Sequence, residues 1–227
     1  MPGPAPLRLA IFDCDGTLVD SQHMIAACMR AAFDAEGLPP PGIAEVRRVV
    51  GLPLADCMRV LAPGYGPDGH SRLAEAFREE FHRPERIAGA AAEPLFPGCR
   101  TALDALEAAG WLLGIATAKG RRGLDGVLER HGLVGRFVTL QTGDASPGKP
   151  HPAVLGRALA EAGARARDAV MIGDTSFDMT MARRAGVRAI GVGWGYHDAA
   201  DLRDAGAEAV AADYSELLRI LAGEPAR

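Results

Sequence analysis

The stretch Leu7-Arg8-Leu9-Ala10-Ile11-Phe12-Asp13-Cys14-Asp15-Gly16-Thr17 decides the fold. Leu9 to Phe12 form a continuous apolar run, the pattern of a strand buried on both faces of a parallel sheet. At its carboxyl end stand two carboxylates, one residue apart. Burying such a pair is costly unless the acids are paired, protonated or bound to metal. Ligands in open α/β sheets bind outside the carboxyl ends of the strands, so Asp13 and Asp15 are candidates for chemistry. Gly16 lets the chain turn sharply and leaves backbone N–H groups open to a ligand. Cys14 lies between the acids, and strand alternation sends its side chain to the opposite side. There it packs as a small hydrophobe.

Working outward, the pattern changes twice. After Leu18 the periodicity becomes helical. Gln22 to Glu36 forms one helix, with Asp20 or Ser21 as N-cap and Gly37 as stop. Pro39-Pro40-Pro41 breaks the chain, and shorter helical patterns follow over Ile43–Val50 and Leu54–Leu61. Pro63 to Gly69 reads as a Gly/Pro-rich loop before an amphipathic helix from about Ser71 to Phe81 or beyond. No strand-like run occurs between Leu18 and Glu93. From Pro97-Gly98 onward helices and strands alternate. The helices are Cys99–Ala109, Arg122–Arg130, Pro152–Ala162 and Asp178–Ala185. The strands are Trp111–Ala116, Phe137–Leu140, Ala169–Ile172 and Arg188–Val192. A final helix–strand–helix runs from Ala199 to Ala222 around a short edge strand, Ala209–Ala211. This alternation predicts an α/β fold with a doubly wound parallel sheet. Residues 1–17 and 94–227 make that core, interrupted by an all-helical insert at 18–93.

Composition narrows the function classes. The 227 residues are 48% apolar and carry a net charge of −4, which argues against a nucleic-acid partner. No apolar run is long enough to span a bilayer. Met1–Pro6 lacks the features of a secretory signal and reads as a frayed tail. Cys14, Cys28, Cys57 and Cys99 have no metal or disulfide spacing, which fits a reducing cytoplasm. The six histidines show no ligand spacing. Lysine is rare: Lys119 and Lys149 are the only two among 25 basic residues. Both fall in candidate phosphate loops, where a compact ammonium can approach one phosphate oxygen.

Three more strand ends carry polar residues. Thr117-Ala118-Lys119-Gly120 follows the Trp111 strand, and its hydroxyl and backbone N–H groups could hold a phosphate oxygen. A Thr there also serves as an ordinary turn residue. Pro147-Gly148-Lys149-Pro150 is a rigid loop with one cation. Gly173-Asp174-Thr175-Ser176-Phe177-Asp178 follows the Ala169 strand. Asp174 or Ser176 could simply cap the next helix. Taken with Asp13 and Asp15, however, these strand ends bring acids, a hydroxyl and a cation to one crevice. That points to phosphate chemistry with a metal.

In this order the motifs resemble the haloacid dehalogenase superfamily. Asp13-Cys14-Asp15-Gly16-Thr17 matches its first motif, Thr117 the second, Lys149 the third, and Gly173-Asp174 with Asp178 the fourth. The helical insert is similar to the cap of the branch that includes phosphoglycolate phosphatases, β-phosphoglucomutases and haloacid dehalogenases. The resemblance implies a phosphomonoesterase for a small phosphorylated metabolite, with 2-phosphoglycolate as a candidate, in a monomer or homodimer. Asp13 would attack phosphorus and become an aspartyl phosphate, and Asp15 would serve as acid and then base. Mg²⁺ would sit on the Asp13 and Asp174 carboxylates and the Asp15 backbone carbonyl. Asp178 would orient a metal water or Lys149. Thr117 and Lys149 would bind the phosphoryl oxygens.

Asp15 argues against a dehalogenase, whose corresponding residue is not Asp. A sugar phosphomutase is the alternative, but such mutases carry a cap His where this chain has Ile25, with His23 offset by two residues. A non-catalytic phosphate-binding module is a further possibility. The loop Gly51-Leu52-Pro53-Leu54 is the candidate for reading the leaving group. Arg47 and Arg48 just before it could pair with a substrate carboxylate, although both fit better as solvent-facing residues.

Overall fold

A computed structural model describes residues 7–83 and 93–223. The tail Met1–Pro6, residues 84–92 of the insert and residues 224–227 lie outside the described residues. The apolar runs become β1 (Arg8–Phe12), β2 (Trp111–Ala116), β3 (Phe137–Gln141), β4 (Ala169–Gly173), β5 (Arg188–Val192) and β6 (Ala209–Ala211). They form one parallel sheet in the order β3-β2-β1-β4-β5-β6. The order reverses direction beside β1, so the crevice at the switch lies between the ends of β1 and β4. Leu9 to Phe12 are fully buried, as is all of β4. Continuous apolarity is therefore explained by helices covering both faces.

The helices α5 (Cys99–Ala108), α6 (Arg121–Arg130) and α10 (Tyr214–Leu221) cover one face. Their Leu103, Leu106, Leu124, Val127 and Leu217 pack on Phe12, Cys14 and Ile172. On the other face lie α7 (Ala153–Ala162), α8 (Ser176–Ala185) and α9 (Ala199–Ala205). Leu155, Met179, Met181 and Leu202 meet Leu9, Ile11 and Met171 there. Cys14 thus sits with Phe12, on the side opposite the acids.

The insert contains α1 (Gln22–Ala35), α2 (Ile43–Val49), α3 (Leu54–Leu61) and α4 (Gly66–Phe81). They bury a separate cluster of Ile25, Met29, Phe33, Val46, Met58, Leu73 and Ala74. The chain leaves and re-enters the sheet region side by side. Asp20 N donates to Pro94 O at 2.8 Å, Phe96 N donates to Leu18 O at 3.0 Å, and Val19 pairs with Leu95.

Two helix starts differ from the sequence reading. Of the segment read as a Gly/Pro loop, Pro63 to Gly69, the last four residues already belong to α4, which begins at Gly66. Pro67 falls in the first turn, where no N–H is needed. Gly69 is buried against the Tyr65 ring, which a Cβ there would meet at 2.4 Å. α8 begins at Ser176 because Thr175 and Asp178 form a capping box, not because Asp174 or Ser176 caps. Ser21 occupies the N-cap position of α1 but makes no capping bond; its hydroxyl serves the site instead.

Candidate active site

Asp13 continues β1 into the crevice, its N–H donating to Ile172 O at 2.9 Å. Asp174 follows β4, and Asp178 reaches back from the first turn of α8. Ligand oxygens of these three buried carboxylates lie within 4.8 Å of one another. Lys149 arrives from the loop before α7, and its Nζ lies 2.8 Å from Asp13 Oδ2 and 2.6 Å from Asp178 Oδ1. Each acid has a fixed orientation. Asp13 Oδ1 accepts from Cys14 N, Asp174 Oδ1 from the Thr17 hydroxyl, and Asp174 Oδ2 from Tyr196 N. Asp178 Oδ2 accepts from the Thr175 hydroxyl at 2.7 Å. Gly16 is required here: its φ is +83°, and a Cβ would stand 2.2 Å from Asp174 Oδ2.

Three buried carboxylates gather around one ammonium, and burial raises two of them, Asp13 and Asp174. Burial pushes the Asp13 carboxyl up to about 7, against the pull of Lys149 and with the repulsion of Asp178. Burial also drives Asp174 well above the usual carboxylate range, reinforced by Asp13 and Asp178. Lys149 rises despite its burial, because Asp13 and Asp178 outweigh desolvation. An all-oxygen donor set with surplus negative charge fits a hard divalent cation.

Asp15 turns away from this cluster. Its Oδ1 accepts from the Ser21 hydroxyl at 2.6 Å and from Lys119 Nζ at 2.8 Å. Lys119 also binds Glu93 Oε1 at 2.8 Å, and Arg130 holds Glu93 Oε2 at 3.0 Å. Lys119, at the strand end after β2, has a buried side chain paired with two acids. Thr117 is buried beyond β2, its N–H on Gln141 O and its hydroxyl accepting from Lys119 N.

Asp13, Asp15, Thr117 and Lys119 line one end of a cavity of about 340 Å³. Ile25, Met29, Val50, Leu52, Phe77 and Phe81 of the insert line another part, and Arg78, Arg121 and Arg122 also border it. Arg47 is neither a solvent-facing residue nor a wall of this cavity. Its Nη2 donates to the Gly195 and Tyr196 carbonyls at 3.0 and 3.2 Å. Arg47 therefore ties α2 to the loop that orients Asp174. Arg48 is exposed. Sequence reasoning missed Ser21, Thr17, Glu93 and Tyr196 as partners of the acids. The rarity of lysine and a place at a strand end were the signals that marked Lys119.

Comparison with known proteins places the chain in a family. Residues 10–192 match the haloacid dehalogenase-like hydrolase family. A probable phosphatase, IndB, of Dickeya dadantii is 32% identical over 92% of this chain and 91% of its own. A phosphoglycolate phosphatase of Vibrio parahaemolyticus is 31% identical over 95% and 96%. The crystal structure of a hydrolase from Pseudomonas syringae superposes with a TM-score of 0.84 at 28% identity, covering 95% of this chain and 98% of that one. The chain belongs to the haloacid dehalogenase-like hydrolase family and is a phosphatase of that family.

Proposed function

We propose that the protein is a Mg²⁺-dependent phosphomonoesterase for a small phosphorylated metabolite, working through an aspartyl phosphate on Asp13. The observation that carries this reading is the convergence of Asp13, Asp174, Asp178 and Lys149 at one strand crossover, with Asp15 facing the same cavity. Asp13 and Asp174, with the Asp15 backbone carbonyl, would hold Mg²⁺. The ion would neutralise the buried acids and the substrate phosphate. Asp178 fixes Lys149, and Lys149 with Thr117 would receive phosphoryl oxygens.

An Asp13 oxygen attacks phosphorus while the bond to the leaving oxygen breaks. That oxygen takes its proton from Asp15 and departs as an alcohol. Asp15 then accepts a proton from water as the water attacks the phosphoaspartate, releasing phosphate and restoring Asp13. Helices α1–α4, within residues 18–93, would act as a cap over a core of 1–17 and 94–227, excluding water when closed. The paired crossing at Asp20 and Pro94 supplies a hinge between them.

Relatives named as phosphoglycolate phosphatases make 2-phosphoglycolate the first candidate substrate, and Arg121 and Arg122 beside the cavity could meet its carboxylate. A phosphomutase is less well supported: Ile25 lines the cavity where an imidazole would be needed, and His23 is exposed. Four buried free thiols suit the cytoplasm, and a monomer or homodimer would suffice, since the candidate residues come from one chain. The test is phosphate release from p-nitrophenyl phosphate and 2-phosphoglycolate, with Mg²⁺ and with EDTA, in the wild type and Asp13→Asn. Mg²⁺-dependent release lost in the variant supports the reading. EDTA-resistant release, or an active variant, overturns it.

A further inference from the structure

The established family activity assigns nothing to the buried group of Lys119, Glu93, Arg130 and Ser21 behind Asp15. We propose that Lys119 is a positioning residue that fixes which oxygen of Asp15 carries the transferable proton. The inference rests on the reading of Asp15 as the acid.

A carboxylic acid has two oxygens and one proton. Among the described residues, both donors to Asp15 converge on Oδ1: the Lys119 ammonium at 2.8 Å and the Ser21 hydroxyl at 2.6 Å. An ammonium has three donors and no acceptor. A proton placed on Oδ1 would sit against the Lys119 cation, whereas one on Oδ2 would not. The ammonium therefore favours the hydrogen of protonated Asp15 on Oδ2, the oxygen left for the cavity that Asp15 lines.

Ser21 alone cannot enforce this choice. Its hydroxyl contacts the Tyr196 hydroxyl at 2.9 Å and can rotate to accept instead of donate. The lysine is itself immobilised. Glu93 takes a second ammonium proton at 2.8 Å, Arg130 holds the far oxygen of Glu93, and the Phe81 ring covers Nζ at 4.6 Å. Among the described residues two cations face two acids, so the group is charge-balanced when Asp15 is ionised. The buried ammonium lies 2.8 Å from both carboxylates, a compact point charge shared between them.

The transfer is unchanged in its balance. The P–O bond to the leaving group breaks, its electron pair stays on the leaving oxygen, and the Asp15 Oδ2 proton moves to that oxygen. The need for this proton depends on the ester. Phenolate requires it far more than 2,4-dinitrophenolate, a much weaker base.

The test measures kcat/KM for phenyl phosphate and 2,4-dinitrophenyl phosphate at saturating Mg²⁺, in the wild type, Lys119→Met and Asp15→Asn. Lys119→Met is expected to lose about 100-fold or more on phenyl phosphate and less than about 10-fold on the dinitrophenyl ester. Asp15→Asn should show the same selectivity. Should Lys119→Met leave the buried Glu93 too poorly compensated to fold, Lys119→Met with Glu93→Gln removes both buried charges and must show the same selective loss. Equal losses on both esters in a folded Lys119 variant, with Asp15→Asn still selective, overturn the role of Lys119 alone. Equal losses in Asp15→Asn overturn the acid reading and the proposal with it.

Discussion

The two lysines divide the site into halves of opposite electrostatic character. Lys149 stands among Asp13, Asp174 and Asp178 and leaves the group anionic. Lys119, joined by Arg130, matches Asp15 and Glu93 charge for charge. Both lysines are buried and both touch an acid of the same short motif, yet only one half calls for a further cation. Two aspartates separated by one residue thereby acquire different environments, the usual route to different chemical roles.

The strongest way to break this comparison is at Asp13. If it is the nucleophile on the anionic side, Asp13→Asn should lower kcat/KM on the order of 10⁴-fold or more, as measured by phosphate release. Substitution of the lysines sharpens the contrast. Lys149→Met and Lys119→Met should each destabilise the fold by roughly 3–5 kcal/mol, the usual result of breaking a buried pair. Urea unfolding with and without Mg²⁺ then separates them. Mg²⁺ should recover much of the loss in Lys149→Met and little in Lys119→Met. Equal recovery would mean that the halves are not distinct.

The pH dependence of metal stabilisation follows from Asp13. Its folded pKa of about 7 lies above its ordinary value of 3.8, so burial costs nothing while the acid is protonated in both states. The cost begins as pH rises past the unfolded value and is complete above about 7. Without metal, stability should therefore fall across this window. The rise in Tm on adding Mg²⁺ should be larger at pH 8 than at pH 5. A flat response would remove Asp13 from the metal side. The smallest expected effect is that of Arg47→Ala. Loss of its bonds to Gly195 and Tyr196 should cost about 1–3 kcal/mol, visible as a Tm lower by several degrees.

Legibility in the sequence followed the range of the interactions. β1 and β4 were readable because apolar continuity and strand-end acids are local signals, and parallel alternation brought Asp13, Asp174, Asp178 and Lys149 into one crevice. The partners of Asp15 were not readable. Glu93 lies far from Asp13 in sequence and 26 residues before Lys119, and nothing local marks it as buried. Arg47 resembled a surface residue of a short helix because its acceptors are backbone carbonyls, which carry no sequence signature. The start of α4 was hidden by Pro67 and Gly69, residues that break helices in their interior but not in a first turn.

The most direct test of the central claim is chemical trapping of the phosphorylated residue. Enzyme turning over a phosphomonoester with Mg²⁺ is quenched in acid, reduced with borohydride and mapped by peptide mass spectrometry. The account predicts reduction of the Asp13 side chain to that of homoserine, dependent on substrate and Mg²⁺ and, with 2,4-dinitrophenyl phosphate, whose leaving group needs little acid, more abundant in Asp15→Asn, where hydrolysis of the intermediate is slowed. An active enzyme that shows no modification at position 13, or one at another carboxylate, would contradict it.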